Sequence, residues 1–279
     1  LGELEWDTND LWIMRDGRKL RTLAEELRQP RSQALVEPYC FAWDTDAHAY
    51  RLVLDSNLLP DAGGTGRTKL GVGDGAFMYF HEPVLSLSFP PVRPGATVAP
   101  TARTRKAEGG GWTVALQARC GPAVSGDALF GQSATIGPGG FRSRKPPGTP
   151  DQGAWVEVSF VPVAGDATPL SLDVRSKSAT ATWRAVVRSD QPNQEVGLSW
   201  PELGHAPRDL QFTLVDELTG QRQSMRTSNA YRFRTDGRAA ARGFLIEVDS
   251  SGRTRLQLSN LTTQTTRSPQ GGALTATFT

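Results

Sequence analysis

The chain has 279 residues, longer than one ordinary module of about 100–150 residues, so two domains or one large β domain is the starting expectation. Its 29 Gly and 19 Pro exceed the usual share, yet 38% hydrophobic and 8% aromatic residues suffice for packed cores, which excludes general disorder. A net charge of +2, with acidic and basic residues interleaved, implies no large surface of one sign and gives no footing for nucleic-acid binding.

Residues 1–35 hold one plausible helix. Thr22 reads as its N-cap with Glu25 three residues on, Leu23 and Leu27 share a face, and Pro30 stops it after about two turns. From Pro38 the pattern changes to short apolar runs between turn residues, as in antiparallel strands. Phe41-Ala42-Trp43, a polar Asp44-Thr45-Asp46 turn and Tyr50-Arg51-Leu52-Val53-Leu54 form a hairpin; 76–80 and 84–89 follow, with alternation in the second. Pro90-Pro91-Val92-Arg93-Pro94-Gly95 cannot sustain a hydrogen-bonded ladder and is the best boundary.

Beyond it, 112–118 is a strand of period two, followed by a Gly-rich loop over 121–140 and the Pro146-Pro147-Gly148 stretch. Strands are then expected at 155–160, 170–174, 182–187, 196–200, 210–215, 224–226, 231–233 and 244–248. About eight strands without a helical period between them specify a β-sandwich rather than a βαβ sheet. The sharpest local signal is Gln211 to Asp216, then Glu217-Leu218-Thr219-Gly220, then Gln221-Arg222, where Gly220 supplies the positive φ of a hairpin turn. The final segment Ala273-Leu274-Thr275-Ala276-Thr277-Phe278-Thr279 alternates like a strand, aligning Leu274, Ala276 and Phe278, and has no obvious partner after it.

The usual materials of catalysis are scarce, with three His and two Cys. His48 follows Asp44 and Asp46 in a turn whose carboxylates hydrogen-bond their own backbone more readily than they hold a cation. His81-Glu82-Pro83 lacks helical zinc spacing and reads as an exposed bend, and His205 lies in a proline-bounded surface loop. Gly131-Gln132-Ser133-Ala134 lacks the second Gly of a hydrolase elbow, and Gly63 to Lys69 lacks the Gly-Lys-Ser/Thr ending of a phosphate loop. No carboxylate pair for glycoside hydrolysis stands out, so no catalytic residue, metal ligand or cofactor is expected. Cys40 and Cys120 match no zinc spacing; one disulfide between them and two separately buried thiols are the alternatives. Most of the seven Trp fall in or beside strands and read as core, whereas Trp6 and Trp12 lie outside the pattern and are the candidates for binding a sugar ring. The basic stretch Phe141-Arg142-Ser143-Arg144-Lys145-Pro146-Pro147 reads either as a solvated loop or as a surface for an acidic partner.

The segment from Trp183 onward resembles a recurrent β-sandwich module of large secreted or cell-surface bacterial proteins, including those with immunoglobulin-like sorting or FlgD-like tails. The residues carrying the resemblance are Lys145-Pro146-Pro147 before the 155–160 strand, Val196 to Leu203, Leu214-Val215-Asp216 with Thr219-Gly220, Met225-Arg226-Thr227, Tyr231-Arg232-Phe233 and Phe244 to Val248. Residues 38–90 resemble a small β module placed ahead of it, and Thr266-Arg267-Ser268-Pro269 the entry into a further domain.

The expectation is therefore an all-β chain: a small antiparallel β module with one short helix over 1–92, an immunoglobulin-like β-sandwich over 93–254, and a linker with an orphan terminal strand over 255–279. No apolar run approaches the about 18 residues of a membrane span, and the start Leu1-Gly2-Glu3-Leu4 lacks the form of a signal peptide, so a trimmed, soluble piece is expected. The resemblance implies an extracellular or cell-surface, non-catalytic structural role, with partners in copies of itself or neighbouring domains of the same polypeptide. The alternative is a module that binds cell-surface glycan through Trp6 and Trp12.

Overall fold

The computed structural model describes residues 4–29, 33–45, 49–55, 69–71, 74–89, 111–134, 136, 140–146, 148, 153–162, 168–236, 241–250, 261–268 and 271–278. The chain is nearly all β.

The first part is built from β1 (Leu4–Glu5), β2 (Trp12–Arg15), β3 (Arg18–Thr22), helix α1 (Leu23–Glu26), β4 (Cys40–Asp44), β5 (Ala49–Val53), β6 (Lys69–Leu70), β7 (Ala76–Phe77) and β8 (Leu85–Ser88). Asp16 and Gly17 both take positive φ, 51° and 74°, and turn β2 back onto β3 as a two-residue hairpin loop. The expected capping box is present: Thr22 Oγ1 accepts from the Glu25 amide and Glu25 Oε2 from the Thr22 amide. The helix is shorter than expected, because amides of Arg28 and Gln29 bond to the carbonyls three residues back and tighten the chain beyond Glu26. Three small sheets, ordered β3-β2-β8, β5-β4-β7 and β1-β6, enclose Trp6, Leu11, Ile13, Leu23, Val36 and Cys40.

The second part contains β9 (Trp112–Cys120), β10 (Ala123–Ser133), β11 (Phe141–Arg144), β12 (Val156–Val161), β13 (Leu170–Ser176), β14 (Thr180–Ser189), β15 (Glu195–Ser199), a 3-10 turn (Pro201–His205), β16 (Gln211–Asp216), β17 (Arg222–Ser224), β18 (Ala230–Arg234) and β19 (Arg242–Asp249). They form one curled sheet ordered β17-β16-β19-β14-β12-β13-β10-β9-β15-β18, with β11 beside β13. Among the described residues the only β12–β13 register pair is Phe160 with Leu170, and there the sheet folds over so that its halves face each other like a sandwich. Trp112 of β9 meets Trp183 of β14 at 5.8 Å and Phe212 of β16 at 5.1 Å, and Phe130 of β10 meets Trp183 at 5.2 Å between ring centroids. Two core indoles have their N–H groups satisfied, since Trp183 Nε1 donates to Asp173 O at 2.9 Å and Trp200 Nε1 to Met225 O at 2.9 Å.

Two stretches read as loops are strands. The Gly-rich region contains β10, the longest strand, which pairs antiparallel with β9 and parallel with β13. Its glycines mask the apolar pattern, and one is required by packing: a Cβ on Gly131 would lie 2.1 Å from the Trp112 carbonyl oxygen. The basic stretch contains β11, whose Arg142 Nε donates to the buried Asp173 at 3.1 Å, so its acidic partner lies within the chain. The 90–95 boundary lies outside the described residues, but the parts on either side share an apolar layer. Tyr39, Phe41, Leu52 and Leu54 pack on Ala115, Leu129, Leu172 and Val174, while Tyr79 Oη donates to Lys145 O at 2.6 Å and Tyr39 Oη accepts the Arg144 amide at 3.0 Å.

The terminal segment is not an orphan strand. β20 (Leu261–Ser268) and β21 (Gly271–Phe278) pair antiparallel from Leu261 with Phe278 to Ser268 with Gly271. The expectation failed because the polar run Leu-Thr-Thr-Gln-Thr-Thr has no apolar alternation, although Thr is a strong strand former. Among the described residues no helix is long and apolar enough to cross a membrane.

Candidate functional site

The residues singled out by sequence do not converge. Trp6 is 2% exposed, and its Nε1 donates to Pro38 O at 3.1 Å, so this ring belongs to the first core and offers no face to a sugar. Its acidic neighbours in sequence masked that burial. Trp12 is half-buried at the start of β2, with Lys19 Nζ 4.6 Å from its ring centroid. Trp155, assigned to core by its strand setting, is instead 38% exposed. Cys40 and Cys120 are free, buried thiols in separate cores, so the disulfide alternative gives way to the two-thiol one. Burial pushes the Cys40 thiol up to about 12, outweighing the opposing pull of Arg51.

His48 lies outside the described residues, as does most of the Gly63 to Lys69 stretch. His81 sits in an exposed bend, its Nε2 3.2 Å from Glu37 Oε1, and His205 is exposed in the 3-10 turn. Among the described residues no three His, Cys, Asp or Glu side chains gather in a geometry that would hold a metal ion.

The buried charges that sequence reasoning missed are clasps between strands. Asp216, 0% exposed at the end of β16, accepts Arg242 Nε at 3.0 Å and Nη2 at 2.5 Å, Tyr231 Oη at 2.8 Å and the Leu218 amide at 3.0 Å. Burial alone would raise its carboxyl; the hydrogen bonds from Arg242, Tyr231 and Leu218 outweigh that and hold it at about 2. The same contacts raise Arg242, through its bond to Asp216, and Tyr231, through burial and then that bond, so the guanidinium stays charged and the phenol stays a donor. Tyr231 comes from β18 and Asp216 from β16, so this clasp ties the two ends of the curled sheet together. Gln223 Nε2 of β17 adds a bond to Ala230 O of β18 at 2.9 Å across the same seam.

A second buried carboxylate, Asp173 of β13, is held by Arg142 and by Arg175, whose Nη2 lies at 2.6 Å and whose guanidinium stacks 4.9 Å from the Trp183 ring centroid. A third, Glu26, accepts from Arg21 and from the Leu35 and Val36 amides. Each carboxylate is saturated by donors and fastens one element to another; none is poised beside a second acid for proton transfer.

The terminal hairpin differs from every clasp. Its ladder runs through eight residues of β20 without a register shift, and neither strand pairs with another described strand. Among the described residues, no strand lies along either outer edge. No family model, curated protein or solved structure matches the chain.

Proposed function

We propose that this chain is a non-catalytic structural module of an extracellular or cell-surface protein, immunoglobulin-like in its sandwich, that assembles by β-strand addition through its terminal hairpin. The observation that carries the reading is the isolated β20–β21 ladder. A lone two-stranded hairpin is marginal in water, and an edge without a neighbouring strand leaves backbone N–H and C=O groups to be satisfied elsewhere. Joining a neighbouring sheet edge satisfies them, in a copy of the chain or in an adjacent domain of the same polypeptide. A contact of this kind that does not close on itself propagates as a filament. The extracellular setting is supported by the resemblance of 183–248 to modules of secreted bacterial proteins.

Light scattering on the full chain and on a chain lacking 261–279 tests this reading. The full chain is expected to gain mass with concentration while the truncated chain stays at one mass. Equal masses at every concentration would overturn it.

A further inference from the structure

We propose that the outer face of the sandwich at the start of β12 binds a neutral pyranose ring of a polysaccharide, stacked on Trp155 and held at its hydroxyls by Asp190, Glu157 and Arg188. This site is independent of how the chain assembles.

Alternation fixes which side chains share that face. Val156, Val158 and Phe160 of β12 and Trp183, Ala185 and Val187 of β14 fill the core, so Trp155, Glu157, Arg188 and Asp190 take the opposite side. The register sets Glu157 against Arg188, and two residues further out the Asp190 amide donates to Trp155 O at 3.3 Å. The Trp155 amide in turn donates to Asp190 Oδ1 at 2.8 Å, and its carbonyl also accepts Ser189 Oγ at 3.1 Å. Its backbone is thus fastened to β14 while its side chain is exposed.

A tryptophan at a strand position usually spends its large apolar area in the core. Trp112, Trp183 and Trp200 do so at 4% exposure or less, whereas Trp155 is 38% exposed. Trp12 has Lys19 against its ring and Trp43 has Tyr50; among the described residues neither a cation nor a ring lies against Trp155. The polar groups beside it keep bonding capacity. Asp190 Oδ2 has no described partner, and Arg188 Nη1 lies 3.7 Å from Glu157 Oε1, too far for a hydrogen bond. Further along the same face Arg184 is closed onto Glu217 by three hydrogen bonds.

The C–H face of a pyranose is apolar and slightly positive, which suits the negative face of an indole. Its hydroxyls both donate and accept, and here two carboxylates accept while a guanidinium donates. A cationic ligand would meet Arg188 and an anionic one Glu157 and Asp190, so the mixed signs select a neutral, hydroxyl-rich ligand. The platform is open on one side, which sets the affinity for one ring on the order of 1 mM.

The test is isothermal titration of the full chain with four neutral hexasaccharides, of β-linked glucose, β-linked mannose, β-linked xylose and α-linked glucose. At least one is expected to bind, roughly tenfold more weakly in Trp155→Ala and roughly threefold more weakly in Asp190→Asn. Trp155→Phe keeps a ring and is expected to retain most of the binding, and urea unfolding checks that each variant folds. Absence of binding by all four sugars would overturn the site. So would binding that is unchanged in Trp155→Ala, or binding of a lysine hexapeptide in place of the sugars.

Discussion

At the scale of single residues, the molecule places its buried charge where strands must be fastened. Asp216 is the clearest case, because three donors from three positions converge on one carboxylate. Its folded value of about 2 lies below the ordinary 3.8, so the folded state binds its proton less tightly than the unfolded state. The stability it contributes is therefore complete above about pH 4 and is lost as pH falls towards 2, an amount on the order of 2 kcal/mol. Urea unfolding at a series of pH values is expected to show this loss in the native chain and its absence in Asp216→Asn. Parallel loss in both would mean that Asp216 is not the group responsible. Nothing in the local sequence announced this role: Leu214-Val215-Asp216 reads as a strand running into a turn, and only the fold brings Arg242 and Tyr231 to it.

At the scale of elements, what could be read depended on how cleanly each segment alternates. β14, β16 and β19 were legible, as were the Gly220 turn and the Thr22 capping box, because each has a strong local signal. β10 was not, since small residues stand where an apolar alternation would mark a strand. Gly131 explains why they must: β9 passes so close that any side chain meets the Trp112 carbonyl. Gly131→Ala is expected to cost about 3 kcal/mol by forcing β9 and β10 apart. Thermal or denaturant unfolding checks this, and a cost under about 0.5 kcal/mol would show that the strands relax freely. The Asp16-Gly17 hairpin was legible in principle, with an Asp-Gly pair between two strand-like runs, but the surrounding Arg and Lys residues hid the alternation. The polar hairpin β20–β21 escaped half-noticed for a related reason: its second strand alternates, its first does not.

At the scale of the whole molecule, two parts separated by a proline-rich stretch in sequence share an apolar layer, with Tyr39 and Tyr79 bonded across it to the backbone of β11 and Lys145. The sheet ends are clasped by Asp216 and Tyr231, and the candidate sugar platform at Trp6 is filled core. Among the described strands, those of the terminal hairpin pair only with each other. The most direct test is hydrogen exchange of the 261–278 amides at several protein concentrations. Edge pairing between molecules is expected to slow exchange across 261–268 as concentration rises, while β14 and β19 exchange at a constant slow rate. Exchange across 261–268 that is the same at every concentration would contradict assembly through this hairpin.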